Sequence, residues 1–117
     1  MVERSRPEAF PARPPVAFRP ANSLYLSVAS AWEMTLKVHS GKLGLPTATA
    51  VYIPARLIHY GMEALSVALE HVLAASTLPA YHRDPFDRML VAQGQVERLP
   101  IVTRDPQVRK YAVETIW

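Results

Sequence analysis

The sequence contains no cysteine and only 4 glycines among its 117 residues. The absence of cysteine excludes disulfides, thiolate zinc sites and a cysteine nucleophile. So few glycines cannot build a glycine-rich loop that cradles phosphate. No apolar run approaches the roughly 18 residues needed to span a bilayer, and no apolar stretch of the kind found in a secretory signal follows the arginines near the N-terminus. We therefore expect a cytoplasmic protein with no membrane partner.

The overall composition is that of a small globular domain. Hydrophobic residues make up 50% of the chain and charged residues 20%, which is enough apolar material for one core. The formal net charge is +3 and the isoelectric point is about 9.5. This basic excess is compatible with a nucleic-acid partner but does not by itself indicate one.

Residues 1–22 differ in composition from the rest of the chain. They contain five prolines and four arginines, at Pro7, Pro11, Pro14, Pro15, Pro20, Arg4, Arg6, Arg13 and Arg19. Each proline fixes φ and removes a backbone donor, so neither a helix nor a central strand can run through this stretch. The pattern predicts an extended or disordered arm, either a plain flexible terminus or a basic arm that touches RNA.

From residue 24 onward, short apolar runs alternate with helical patterns. Strands are predicted at 24–28, 62–67, 99–103 and 113–117. Helices are predicted at 29–40, 52–60, 68–76 and 85–98, with one helical turn at 107–111. Strands separated by helices predict an α/β fold with a parallel sheet, so residues 23–117 are expected to form one domain.

Apolar spacing predicts which helix faces are buried. Ala29, Trp32, Leu36 and His39 fall on one face of the first helix, and Leu69, Val72 and Leu73 on the inner side of the third. We expect Trp32 and these apolar stripes in the core.

Four acidic residues have settings that suggest a shared site. Glu33 lies at the edge of the first helix's apolar face, and Asp84 and Asp87 are three residues apart at a helix start. Asp105 follows Thr103 at the carboxyl end of a predicted strand, which is where open α/β folds bind ligands. Clustered carboxylates repel one another, and Mg²⁺ or Mn²⁺ removes that repulsion through oxygen ligands.

Each of these residues also has an ordinary structural interpretation. Asp84 before Pro85 is typical of a helix N-cap, and Asp87 in the first turn suits the helix dipole. Glu33 could be solvated, and Asp105 before a proline could start a turn. The four histidines, His39, His59, His71 and His82, share no ligand spacing, so no zinc site is expected.

Four segments together give the sequence its family resemblance. They read SVASAWEMTLKVHSGKL from Ser27, HRDPFDRMLVAQ from His82, LPIVTRD from Leu99 and VETIW at the end. In this order, over Leu24 to Trp117, the chain resembles the VapC-type toxins of the PIN-domain family. The resemblance implies a three-layer α/β/α domain with a parallel sheet and Mg²⁺- or Mn²⁺-dependent cleavage of RNA. It also implies a cognate antitoxin and frequent homodimers.

The resemblance also implies roles for individual residues. Glu33, Asp87 and Asp105 match acidic metal ligands of the family. Thr103 matches the hydroxyl residue that precedes the family's last aspartate. Asp84 matches a characteristic neighbour, interpreted as a cap or outer group. Arg83, Arg88 and Arg104 are candidate phosphate contacts, with ordinary surface charge as the alternative.

One feature of the family has no counterpart in this sequence. Family members begin with an apolar strand that ends in an aspartate, and residues 1–22 contain neither that pattern nor any aspartate. The chain is therefore expected to be an N-terminally truncated or divergent member whose sheet lacks the first central strand. Two functions remain open: a metal-dependent endoribonuclease toxin, or a catalytically impaired remnant that only binds or dimerises. A third possibility is an unrelated small α/β binding module.

Overall fold

The structure is a computed structural model that describes residues 23–116. The elements, in chain order, are β1 (Leu24–Ser27), α1 (Val28–His39), α2 (Thr49–Tyr60), β2 (Met62–Leu65), α3 (Leu69–Ser76), α4 (Pro85–Glu97), β3 (Ile101–Val102), a 3₁₀ turn (Val108–Lys110) and β4 (Thr115–Ile116). This is the order of strands and helices that the sequence predicts. The arm predicted at 1–22 lies outside the described residues.

The strands form two parallel pairs. β1 lies beside β2 with Leu24 opposite Met62, and β3 lies beside β4 with Ile101 opposite Thr115. The predicted α/β fold with parallel strands is therefore confirmed, although β2, β3 and β4 are each shorter than predicted. The prediction that the first central strand is missing concerns residues 1–22, outside the described part.

Helix α4 lies at the centre of the domain. Leu90 and Val91 belong to the same buried core cluster as Leu26 of β1 and the two residues of β3. A side chain at Gly94 would place its Cβ 2.9 Å from Val113 Cγ2 and 3.0 Å from the backbone oxygen of Leu99. Glycine at this position therefore allows α4 to approach the start of β3 closely.

The start of α4 has the predicted cap. The Asp84 carboxylate accepts hydrogen bonds from the backbone N–H of Phe86 at 2.8 Å and of Asp87 at 3.4 Å, and Pro85 occupies the first helical position, where no N–H is needed. Helix α2 departs from its prediction because it begins at Thr49, so that Pro54 lies inside the helix rather than in its first turn. Gly61, with a φ of 64°, ends α2 as predicted.

The predicted burial of two apolar faces is wrong. Trp32 is 60% exposed and Leu69 72% exposed, and Leu36, Val72 and Leu73 are also exposed. On the face predicted for α1, only Ala29 is buried, and Met34, which lies outside that face, is buried as well. These side chains leave an open apolar groove between α1, α3 and α4, lined by Val28, Ala29, Trp32, Val67, Val72, Pro85, Phe86 and Met89.

A buried polar network takes the place of the apolar contacts expected beneath α3. The buried His71 ring accepts a hydrogen bond at Nδ1 from the backbone N–H of Ala68 at 2.9 Å, and its Nε2 lies 2.9 Å from Glu97 Oε1. Gln93 of α4 is fully buried. It accepts a hydrogen bond from the Ser27 hydroxyl and donates to the backbone oxygen of Ser66 at 3.2 Å. The network joins β1, α3 and α4 where an apolar face was predicted.

This difference in burial predicts unequal effects of two substitutions in α1. We expect Met34→Ala to lower the free energy of unfolding by about 2–4 kcal/mol because it opens a cavity in the core. We expect Trp32→Ala to cost about 1 kcal/mol or less, since its ring mainly contacts Phe86 edge-on at 5.4 Å. Urea unfolding of both variants measures the two costs. An equal or larger cost for Trp32→Ala would contradict the exposed position of Trp32.

No helix within residues 23–116 is both long enough and apolar enough to cross a membrane.

Candidate metal centre

Two aspartates from separate parts of the chain converge beside a histidine. Asp87 is the third residue of α4 and is only 3% exposed, while Asp105 follows β3 by three residues. His82 Nε2 lies 2.9 Å from Asp87 Oδ2 and 2.9 Å from Asp105 Oδ2. The potential ligand atoms of these three residues all lie within 4.8 Å of one another.

Asp105 is held in place by its own turn. Its backbone N–H donates to the hydroxyl of the buried Thr103 at 3.0 Å, and its Oδ1 accepts from the backbone N–H of Gln107 at 2.8 Å. The Thr103 backbone N–H in turn donates to Ile116 of β4 at 2.9 Å. One carboxylate oxygen of Asp105 therefore starts the turn anticipated from the sequence, while the other faces the site.

The loop that carries His82 is fastened through its backbone. The Tyr111 hydroxyl accepts a hydrogen bond from the backbone N–H of His82 at 2.9 Å and donates to the backbone oxygen of Pro79 at 2.8 Å. Tyr111 is itself buried. The position of the His82 backbone is therefore set by the core rather than by the imidazole.

Hydrogen-bond partners assign the hydrogen on the His82 ring. Nδ1 accepts from the backbone N–H of Asp84 at 3.1 Å, so the ring hydrogen lies on Nε2. That N–H points between the two aspartates, and one N–H can serve two acceptors in a three-centre hydrogen bond.

Glu33, the third acid matched by resemblance, is not a member of this three-residue group. Among the described residues, the third member of the group that contains Asp87 and Asp105 is His82 and not Glu33. Glu33 is largely buried and lies 4.0 Å from the Lys37 ammonium. It lines an open cleft with Asp84, and this cleft is also lined by Lys37, Lys42 and Arg83.

Arg88, predicted as a candidate phosphate contact, has a structural position instead. Its guanidinium donates to the backbone oxygens of Ala75, Leu78 and Pro79 at 2.9, 3.1 and 3.0 Å. These carbonyls lie at and beyond the end of α3, where helical partners are lacking. Arg83 and Arg104 are exposed, as a phosphate contact requires.

His82 is the site residue that the sequence did not reveal. His82 has no zinc-ligand spacing to another histidine, and its contact with Asp105 joins residues that are 23 positions apart in the chain. The short motif His82-Arg83-Asp84-Pro85 offered one local signal, a histidine two residues before a helix cap. A second group in the described part, Glu70, His71 and Glu97, belongs to the network under α3.

The chemistry of the donor set fits a hard divalent cation. Asp87 and Asp105 supply carboxylate oxygens, which suit Mg²⁺ and Mn²⁺. A soft metal that prefers thiolate ligands has no cysteine to bind in this chain. Asp87 is buried at the foot of the site and Asp105 is partly open. A cation can therefore be held by protein on one side and by water on the other.

Comparison with known proteins relates the chain to one family. The family model of the PIN domain matches residues 4–114, which is nearly the whole chain. Ribonuclease VapC16 of Mycobacterium tuberculosis is 44% identical over 50 residues, which make up 43% of this chain and 36% of that protein. The chain thus aligns with about a third of this relative's length. No solved structure gives a significant match. The chain belongs to the PIN-domain family, and its resemblance to the VapC-type members is confirmed.

Proposed function

We propose that this protein is a VapC-type endoribonuclease toxin that hydrolyses RNA phosphodiesters with Mg²⁺ or Mn²⁺. The observation that carries the proposal is the convergence of Asp87 and Asp105, from α4 and from the turn after β3, within ligand distance of one point. Membership of the PIN-domain family and similarity to a VapC ribonuclease support it.

Each residue has a defined part in the proposed mechanism. Asp87 and Asp105 hold the cation, and Thr103 fixes the turn that aims Asp105. Asp84 caps α4 and so fixes the position of Asp87, acting as an outer residue of the site. A bound divalent cation supplies an activated water and Lewis acidity for attack on phosphorus.

Glu33 takes part from the cleft beside the cation. We infer that its carboxylate accepts hydrogen bonds from waters around the bound metal, or becomes a ligand when the site closes on RNA. The two walls of the cleft carry Lys37, Lys42 and Arg83, whose charges attract the phosphates of an RNA strand. Arg104, which is exposed and adjacent to Asp105 in the chain, is a further candidate phosphate contact.

The remaining parts of the proposal follow the family. We propose that the toxin acts in the cytoplasm, where its RNA substrate is present, and that a cognate antitoxin protein neutralises it. Formation of a homodimer is the third element, and the apolar groove around Trp32 provides a surface on which a protein partner could be tested.

Thermal unfolding with Mn²⁺ tests the site directly. We expect Mn²⁺ at about 100 times its Kd to raise the Tm of the parent by at least about 10 °C, because a ligand that binds only the folded state stabilises it. Asp87→Asn and Asp105→Asn should each lose most of this shift. Glu63→Gln, which neutralises an exposed acid of β2, is the matched control and should keep it. An equal Mn²⁺ shift in all four proteins would place the metal elsewhere.

A catalytically impaired PIN remnant is the second candidate. Two observations favour it: the cluster contains two carboxylates rather than four, and the exposed apolar groove is suited to a protein partner. RNA cleavage by the parent, measured against Asp87→Asn in Mn²⁺, separates the candidates. Cleavage that Asp87→Asn abolishes supports the nuclease, whereas metal binding without cleavage supports the remnant.

A further inference from the structure

His82 has no role in the proposed mechanism, yet it lies at the centre of the proposed site. Its Nε2 is 2.9 Å from one oxygen of each aspartate. A divalent cation held by these two oxygens would need the space that Nε2 occupies. His82 must therefore either become a ligand of that cation or leave.

The hydrogen bonding of the ring separates these two outcomes. A metal-ligating histidine offers a bare nitrogen and donates its other ring N–H to an acceptor. In this structure the other nitrogen, Nδ1, faces a donor, the backbone N–H of Asp84. The hydrogen is consequently on Nε2, and a nitrogen that carries a hydrogen has no lone pair for a metal.

We propose that His82 is a placeholder, meaning a donor that holds Asp87 and Asp105 together in the arrangement seen here and leaves when a cation binds. This inference rests on the proposed metal site. Two carboxylates this close repel one another, and the Nε2–H between them offsets part of that repulsion. The placeholder keeps the ligands arranged but competes with the cation for them.

The surroundings of His82 allow its ring to leave without unfolding the loop. The backbone N–H is held by the Tyr111 hydroxyl, and Arg88 donates to nearby backbone oxygens on the same loop. The His82 side chain is 17% exposed, so the site has an opening. Rotation of the side chain therefore releases the two aspartates while the backbone stays in place.

Calorimetric titration of the full chain with Mn²⁺ tests the placeholder. We expect His82→Phe, which keeps a ring but removes the donor, to lower the Kd for Mn²⁺ about tenfold, as follows from losing one competing hydrogen bond to a charged group. His82→Gln keeps an N–H donor of similar reach and should stay within about threefold of the parent. His39→Phe, at an exposed histidine of α1, is the matched control for losing a surface imidazole.

A weaker or unchanged affinity in His82→Phe would overturn the placeholder. Nitrogen-15 NMR of the imidazole in the parent, with and without saturating Mg²⁺, gives a second measurement that needs no variant to fold. A ring that leaves the site should show the averaged nitrogen signals of an exposed imidazole in Mg²⁺, because it no longer contacts the Asp84 N–H. A hydrogen fixed on Nδ1 with Nε2 bare identifies a ligand and refutes the proposal. If Asp87→Asn and Asp105→Asn bind Mn²⁺ like the parent, the proposed function fails; if they do not, failure of the His82 results refutes the placeholder alone.

Discussion

Replacing Arg88 with alanine is expected to lower the free energy of unfolding by about 3 kcal/mol, a fall in Tm of at least about 12 °C. The guanidinium donates to the backbone oxygens of Ala75, Leu78 and Pro79, all within 3.1 Å. Its loss removes three charge-assisted hydrogen bonds, leaving the Ala75 oxygen with only the Leu78 N–H at 3.4 Å, and loosens the loop that leads to His82. Chemical denaturation measures the total cost, and amide hydrogen exchange should show faster opening in α3 than in α2.

Lysine at the same position separates charge from geometry. Arg88→Lys retains the positive charge, but one ammonium cannot replace a planar fork that serves three carbonyls. We expect it to recover less than half of the lost stability. Arg109→Ala, at an exposed arginine of the 3₁₀ turn, is the control and should cost about 0.5 kcal/mol or less. Full recovery by lysine would show that the positive charge alone, rather than the geometry of the guanidinium, stabilises the end of α3 and the loop that follows it.

Gln93→Ala is the second substitution with a large expected cost, about 3 kcal/mol. Gln93 is fully buried, accepts from the Ser27 hydroxyl and donates to the backbone oxygen of Ser66. Its removal leaves a cavity and a buried hydroxyl that has lost its acceptor, and both are costly in a low-dielectric interior. Urea unfolding monitored by circular dichroism measures the change.

The same helix offers a matched control for Gln93. Gln95, two residues further along α4, donates one exposed hydrogen bond to the backbone oxygen of Ala112 at 3.3 Å. Gln95→Ala should therefore cost about 0.5 kcal/mol. Equal losses at the two positions would mean that the buried network contributes no more than a surface contact, contrary to our expectation.

The sequence predicted the features that depend on neighbouring residues. The cap at Asp84 and the first-turn Pro85 are local chemistry, and α4 begins where they indicate. Gly61 ends α2 for the same reason, because its φ of 64° suits glycine. The alternation of strands and helices also held, since apolar periodicity is encoded within each segment.

Features that depend on distant contacts were not predictable in the same way. Apolar spacing placed Leu69 and Val72 inside, but the buried face of α3 carries His71, whose ring is satisfied by Ala68, Glu97 and Gln93. His82 contacts both Asp87 and Asp105, and the contact with Asp105 spans 23 residues and forms in the folded chain. Where Glu33 lies relative to the aspartates depends on how α1 packs, which its own sequence does not determine.

The close approach of α4 to β3 at Gly94 affects the separation of Asp87 and Asp105. Gly94 lies seven residues beyond Asp87 on α4, about 10 Å along the helix axis, and faces Leu99 and Ile101 at the start of β3. The same helix and the same strand lead to Asp87 and Asp105. Any larger residue at position 94 would push the two elements apart and alter the separation of the two carboxylates. If Asp87 and Asp105 hold the proposed cation, the affinity for it therefore depends on a glycine that lies about 10 Å from Asp87 along the helix, because the absence of a side chain at Gly94 sets how closely the two elements approach.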